Sequence, residues 1–103
     1  MSIKKQYLKS EPVCKLSFRV TKEQSQDADT VKIVGEFNDW STDVEPMKKL
    51  KNGDFTQTLK LDAEKEYQFK YVINDKIWIN EEEADKMVPN GLVEGEFNSA
   101  LVL

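Results

Sequence analysis

The sequence predicts an all-β domain, an immunoglobulin-like β-sandwich of about seven short antiparallel strands. Alternation of apolar and polar residues with a period of two dominates the chain, and turn-forming pairs such as Asn52-Gly53 separate the alternating segments. No long segment has the 3.6-residue period of a helix. With 103 residues the chain suits one domain. We expect residues 13–103 to form it, preceded by an N-terminal extension over residues 1–12.

The first two predicted strands lie before residue 40. Residues 13–21 alternate clearly, with a buried face formed by Cys14, Leu16, Phe18 and Val20. Residues 31–37 form the next strand, and Gly35 within it indicates a bulge or a close approach of another backbone segment. A turn at Asn38-Asp39 follows, and Trp40 lies just beyond it.

Two hairpins are predicted in the middle of the chain. Asn52-Gly53 joins a short segment near 47–50 to a strand over 54–61. The strand over 67–73 directs four side chains inward, namely Tyr67, Phe69, Tyr71 and Ile73, and its Gln68, Lys70 and Val72 outward. Asn74-Asp75 turns it into a strand over 77–79. If Ile77 and Ile79 point to the core, Trp78 points to the outer surface.

The C-terminal part is predicted to be a loop over residues 81–95, followed by a closing strand over 98–103. The one helical segment that the sequence allows is a short one near residues 3–9.

Composition excludes several functional classes. The net charge of −4 argues against nucleic acid as a partner, because nucleic-acid binding requires a basic surface. The absence of histidine removes Ser-His-Asp and Cys-His catalysis and histidine-bearing zinc sites. With Cys14 as the single cysteine, no internal disulfide forms, which predicts a reducing, cytoplasmic location. No apolar run approaches the length of a membrane helix or of a secretory signal, so no membrane partner is expected.

The acidic stretch 81–85 (EEEAD) is interpreted as a solvated loop. It lacks the alternating ligands and central glycine of a calcium-binding loop, so no metal and no cofactor is expected. Two carboxylates can hydrolyse a glycoside only when they flank a substrate in a cleft, with one pKa raised. We find no catalytic constellation, and a non-enzymatic role is therefore expected.

The two tryptophans are the main functional signal. Each has a structural interpretation, in which the ring caps an edge of the core or packs on a loop. The functional interpretation is that the flat, electron-rich indole stacks against the C–H face of a sugar ring. Outward Lys70 and Asn98 would then supply polar partners for the sugar hydroxyls.

Four segments in order resemble carbohydrate-binding module family 48. Residues 34–40 (VGEFNDW) resemble its G-x-F-N-x-W signature, and residues 67–78 (YQFKYVINDKIW) resemble its tryptophan-bearing hairpin. Residues 83–90 (EADKMVPN) and 97–99 (FNS) resemble its later motifs. The family includes the N-terminal early-set domains of isoamylases and glycogen branching enzymes, associated with glycoside hydrolase family 13. It also includes the glycogen-binding domain of the AMP-activated protein kinase β subunit.

The resemblance implies a sandwich that binds α-1,4-glucan, a glycogen- or starch-like polysaccharide or a maltooligosaccharide, without catalysis. Matching positions imply sugar contacts by Trp40, Lys70, Trp78 and Asn98. The sequence departs from the kinase-type domains at 93–96 (VEGE), where those domains carry a leucine that wedges into the glucan. The alternative is a protein-interaction or regulatory module that docks a glucan-processing enzyme, with the sugar site weak or lost. A diverged enzyme is the third interpretation.

Overall fold

The computed structural model describes residues 2–91 and 95–103, and within them nine strands form two antiparallel sheets. The predicted all-β sandwich is confirmed. The strands are β1 (Ser2–Tyr7), β2 (Val13–Val20), β3 (Val31–Gly35), β4 (Lys48–Lys49), β5 (Phe55–Asp62), β6 (Glu66–Ile73), β7 (Ile77–Ile79), β8 (Lys86–Pro89) and β9 (Phe97–Val102). One 3-10 turn, Glu36–Asn38, follows β3. Among these residues no helix is long and apolar enough to span a membrane.

The first sheet has the strand order β1-β2-β5-β4. All eight residues of β2 are paired with β5, from Val13 opposite Asp62 to Val20 opposite Phe55. The predicted alternation of β2 is confirmed, because the four side chains predicted for its inner face are fully buried. This strict alternation arises because one face of the sheet packs on the core and the other faces solvent.

The second sheet has the order β3-β6-β9-β8, and β7 pairs with β6 beside that path. The C-terminal half of β6 lies between β3 and β7, whereas its N-terminal half pairs with β9. Strands β7 and β9 therefore both border β6. The residues that β7 and β9 carry on the outer face are brought beside those of β6.

Aromatic rings join the two sheets in the core. Phe69 meets Phe18 edge-to-face at a centroid distance of 5.8 Å and Tyr71 at 5.7 Å. This is the arrangement that aromatic quadrupoles favour, and all three rings are fully buried. Cys14 is a free, fully buried thiol in the same cluster, as its alternation predicts.

Two predicted segments differ from the structure. Residues 3–9 do not form a helix: they contribute most of β1, which pairs with β2 from Ser2 opposite Arg19 to Tyr7 opposite Cys14. Residues 81–95 are not wholly a loop, because Lys86–Pro89 form β8 on the edge of β9. Both strands are stabilised by backbone pairing with the next strand in the chain, which outweighs weak local preference.

Gly35 lies where two backbone segments approach closely, as its position in the strand predicts. A Cβ at this residue would lie 2.5 Å from the carbonyl oxygen of Gln68 and 2.7 Å from Cβ of Phe69. Its φ of −177° is ordinary extended backbone, so the requirement for glycine is steric.

Gly35→Ala is expected to lower the free energy of unfolding by about 1–3 kcal/mol, because a backbone carbonyl cannot yield to the added methyl group. Urea unfolding measures the change. Gly91→Ala is the comparison: nothing lies within 4 Å of its added Cβ, and only its φ of +78° opposes the substitution. If Gly35→Ala is no more harmful than Gly91→Ala, the close approach does not limit stability.

Candidate functional site

Trp40 is held by a hydrogen-bonded turn that ends β3. The Asn38 side chain accepts the Gly35 N–H at 2.9 Å and donates to the carbonyl of Ile33 at 3.1 Å. The Trp40 N–H donates to the carbonyl of Gly35 at 2.8 Å. Asp39 and Trp40 have φ angles of 56° and 57°, which turn the chain sharply. The indole emerges half-buried at the end of the strand.

Trp78 is carried by the tight hairpin between β6 and β7. Asn74 and Asp75 both have positive φ, 51° and 57°, as a type I′ turn requires. The register places Trp78 directly opposite Val72, so both side chains share the outer face of the sheet. Val72 is 1% exposed and Trp78 is 43% exposed. The indole can therefore cover the valine while it offers surface to solvent.

The outward direction of Trp78 was predicted on the condition that Ile77 and Ile79 both point to the core, and only half of that condition holds. Ile79 packs against the core, but Ile77 is 54% exposed. The reason is that β7 has three residues and, within the described part of the chain, pairs with β6 alone, so little covers its first residue. The outward direction of Trp78 rests on its register with Val72 and does not require a buried Ile77.

Polar side chains of β6 and β9 join on the same face. Asn98 donates its amide N–H to Oε1 of Gln68 at 3.0 Å, and both side chains are partly buried. The Glu36 carboxylate accepts the backbone N–H of Gln68 at 2.6 Å, immediately after the last β3–β6 pair. Lys70 is partly buried, and within the described residues its ammonium makes no ion pair.

These elements enclose a cleft of ≈ 450 Å³ on the outer face of the second sheet. All four predicted site residues line it, namely Trp40, Lys70, Trp78 and Asn98. Sequence reasoning missed four further lining residues, Glu36, Gln68, Asn90 and Glu96. Period-two spacing was the available signal for Gln68 and Glu96, which lie two residues before Lys70 and Asn98.

The departure from the kinase-type pattern at residues 93–96 is only partly visible. Residues 93 and 94 lie outside the described residues. Glu96 is exposed at the cleft, together with Glu36. The described residues hold no group of three or more acidic or cysteine side chains arranged around a metal position.

A buried polar network lies behind the cleft, where a solvated acidic loop was expected. Glu81 is fully buried, although Glu82, Glu83 and Asp85 of the same stretch are exposed. The Tyr71 hydroxyl donates to Oε1 of Glu81 at 2.7 Å, and the Glu83 N–H donates to its Oε2 at 3.1 Å. The expectation for Glu81 was therefore wrong, because two donors compensate for the burial of its carboxyl group.

The same network ties the end of β7 to β9. The Glu81 N–H donates to the Ser99 hydroxyl at 2.8 Å, and the Ser99 N–H donates to Oδ1 of Asn80 at 2.9 Å. The Asn80 amide N–H also donates to the carbonyl of Phe97 at 2.8 Å. These bonds follow Trp78 and flank Asn98 in the chain. They therefore fix the two strands that carry site residues relative to each other.

Burial shifts the proton equilibria of this pair. Burial raises the pKa of Glu81 above its ordinary value, although the bonds from Tyr71 and from the Glu83 N–H oppose that rise. Burial, together with the neighbouring Glu81 carboxyl, raises the pKa of Tyr71, so its hydroxyl stays protonated as a donor.

The chain matches the profile of a known protein family. The profile of a family described as the glycogen recognition site of AMP-activated protein kinase matches residues 19–98, which contain all four predicted site residues. No curated protein sequence matches the chain.

Solved structures with a similar fold include the enterobactin esterase FES from Shigella flexneri. Its structure in the presence of enterobactin superposes with a TM-score of 0.73 at 15% sequence identity. A second structure of that esterase, in the presence of 2,3-di-hydroxy-N-benzoyl-serine, gives a TM-score of 0.71 at 15% identity. Each match covers 98% of this chain but 32% of the esterase chain, and at this identity it shows the fold alone.

Substitution of Glu81 by Gln is expected to remove a pH-dependent loss of stability. The Glu81 carboxyl group releases its proton near pH 4.5 in the unfolded chain, whereas burial makes the folded chain retain that proton to higher pH. The free energy of unfolding of the wild type should therefore fall, relative to Glu81→Gln, as the pH rises from about 4.5 through the folded pKa. Urea unfolding from pH 3 upwards measures the difference. Glu82→Gln, which removes a carboxylate from an exposed neighbour, is the matched control. An identical profile for both variants would contradict this assignment.

Proposed function

Because the chain belongs to the family of the glycogen recognition site of AMP-activated protein kinase, we propose that it binds α-1,4-glucan without catalysis, by stacking glucose rings on Trp40 and Trp78. The observation that carries the proposal is a single ≈ 450 Å³ cleft lined by both indoles, an ammonium and side-chain amides. Sugar-binding sites need this combination of flat apolar surface and a few polar groups.

The indoles supply most of the binding energy in this proposal. A glucose ring presents a face of C–H bonds that matches the size and charge of an indole face. Trp78 lies directly opposite the buried Val72 on a tight hairpin, and Trp40 lies in a hydrogen-bonded turn. Rings held in this way lose little conformational freedom on binding, which favours affinity.

The polar groups orient the sugar. Lys70 offers an ammonium with no ion-pair partner in the described part of the chain, and Asn98 offers an amide whose orientation is set by Gln68. We propose Lys70 and Asn98 as contacts to sugar hydroxyls, and Gln68 as the residue that positions Asn98. With two stacked rings and few hydrogen bonds, dissociation constants of about 10 μM to 1 mM are expected.

The absence of catalysis is part of the proposal. One of the two cleft carboxylates, Glu36, already accepts a backbone N–H at 2.6 Å and serves to hold the loop. It is exposed, and it lacks the apolar surroundings that turn a carboxyl group into a general acid.

The alternative function is a protein-interaction or regulatory module that docks a glucan-processing enzyme. The observation that favours it is the pair of carboxylates, Glu36 and Glu96, in a cleft whose neutral ligand does not need them. The cytoplasmic location also stays a prediction, supported by a free, buried Cys14. The boundary at residue 13 stays a prediction as well.

Trp78→Ala is expected to weaken maltoheptaose binding by about tenfold or more, because it removes one of the two stacking surfaces. Titration of intrinsic fluorescence and affinity electrophoresis through a glycogen gel measure the loss. Tyr7→Ala is the matched control, since Tyr7 is an exposed aromatic residue outside the cleft. No quenching of the wild type at about 10 mM maltoheptaose would refute glucan binding in the expected range.

Gln68→Ala is expected to weaken glucan binding by about three- to tenfold, because Asn98 loses the acceptor that orients it. If Gln68 acts through Asn98, the double variant Gln68→Ala/Asn98→Ala should bind within about twofold of Asn98→Ala alone. Fluorescence titration of the four proteins forms a double-mutant cycle. Fully additive losses would instead make Gln68 an independent sugar contact.

A further inference from the structure

The outer face of the first sheet carries five basic side chains, which we define as the cationic face: Lys4, Lys15, Arg19, Lys48 and Lys60. The register aligns three of them with small polar residues, since Lys4 is opposite Ser17, and Arg19 and Lys48 are both opposite Thr56. All five are exposed. This concentration is notable in a chain whose net charge is −4.

Two of these lysines are directly opposed. Lys15 and Lys60 are cross-strand partners on β2 and β5, on the same face of the sheet. Directly opposed residues of an antiparallel pair have Cβ atoms about 4.5–5.5 Å apart, and like charges at this position destabilise the sheet. The fold therefore contains a charge repulsion on its first sheet that an anionic ligand would relieve.

Acidic groups of the chain do little to neutralise this face. Within the described residues, Lys4, Lys15, Lys48 and Lys60 make no ion pair. Arg19 alone is neutralised, by Asp54 at 2.7 Å. The carboxylate of Asp62, at the end of β5, lies 3.5 Å from Lys65. Four ammonium groups thus remain available to an external partner.

We propose that the cationic face docks an acidic protein surface, one rich in aspartate and glutamate side chains. The face spans four neighbouring strands, about 14 Å across, and this breadth suits a protein surface. It carries no aromatic ring on which a single-stranded nucleic acid could stack. It also carries no large apolar side chain that could insert into a lipid surface.

The cationic face and the sugar cleft lie on opposite outer surfaces of the sandwich, since the cleft is built on the second sheet. A partner on one face leaves the other face open. The domain can therefore hold a glucan and an acidic protein at the same time. This inference does not depend on the proposed glucan binding, because no residue is shared between the two surfaces.

The test uses fluorescein-labelled poly-L-glutamate as the acidic probe, with binding followed by fluorescence anisotropy at about 50 mM salt. Lys15→Glu replaces the repulsive pair with an attractive one. It should weaken probe binding by about fivefold or more and raise the melting temperature by about 2–5 °C. Lys15→Glu/Lys60→Glu restores a like-charge pair of opposite sign. This variant should lose the gain in melting temperature and bind the probe still more weakly.

The matched control is Lys76→Glu/Lys86→Glu, which makes the same change in net charge away from the cationic face, in the turn between β6 and β7 and on β8. It should retain most of the probe affinity. Equal losses in the two double variants would overturn the proposal, because the probe would then sense only net charge. Tighter binding to a DNA duplex or to vesicles with phosphatidylserine, lost in the same variants, would overturn the choice of a protein partner. Maltoheptaose should neither displace the probe nor lose affinity in Lys15→Glu, which separates this test from that of the sugar cleft.

Discussion

The register of β6 is the constraint on which the candidate site depends. This strand pairs with β3, β7 and β9, and side chains that are directly opposite across these pairs must share a face. The outward residues of β6 therefore meet Trp78 from one neighbour and Asn98 from another, although these two residues are 20 positions apart in the chain. A slip of one residue in either pairing would turn one of them into the core.

The inner face of β6 makes that register hard to change. Tyr71 and Phe69 are fully buried aromatic residues, and the hydroxyl of Tyr71 bonds to the buried Glu81. A buried carboxyl group contributes little to stability by itself. A shifted strand would leave it buried without its hydrogen-bond donors, which would lower the free energy of unfolding. Together with Ser99 and Asn80, Glu81 links the ends of β7 and β9. We infer that this network keeps the cleft on the opposite face in one arrangement.

Alternation was sufficient to predict β2, β5 and β6, because each has eight residues, long enough for the period of two to be recognised. It was insufficient for β8, which has four residues and is defined by its pairing with β9. The burial of Glu81 was also beyond local pattern, because its partners Tyr71 and Ser99 lie 10 and 18 residues away. Alternation indicated that Trp78 and Lys70 point outward, and the family resemblance assigned them to one site with Trp40 and Asn98. Gln68 needed only the period-two pattern. Glu36 required the structure, because its contact depends on the turn that ends β3.

Net charge was a poor guide to the charge of each outer face, because strand pairing decides which side chains share a face. A total of −4 averages over the molecule, but strand register sorts side chains by face. Lys15 of β2 and Lys60 of β5 are cross-strand partners on the outer face of the first sheet. Glu36 and Glu96, in contrast, line the cleft on the second sheet. The field near each face then follows its own residues, since charges more than about 8–10 Å away are largely screened at physiological salt. An acidic domain can in this way present a basic docking surface, so net charge alone does not decide which charge a partner of one face must carry.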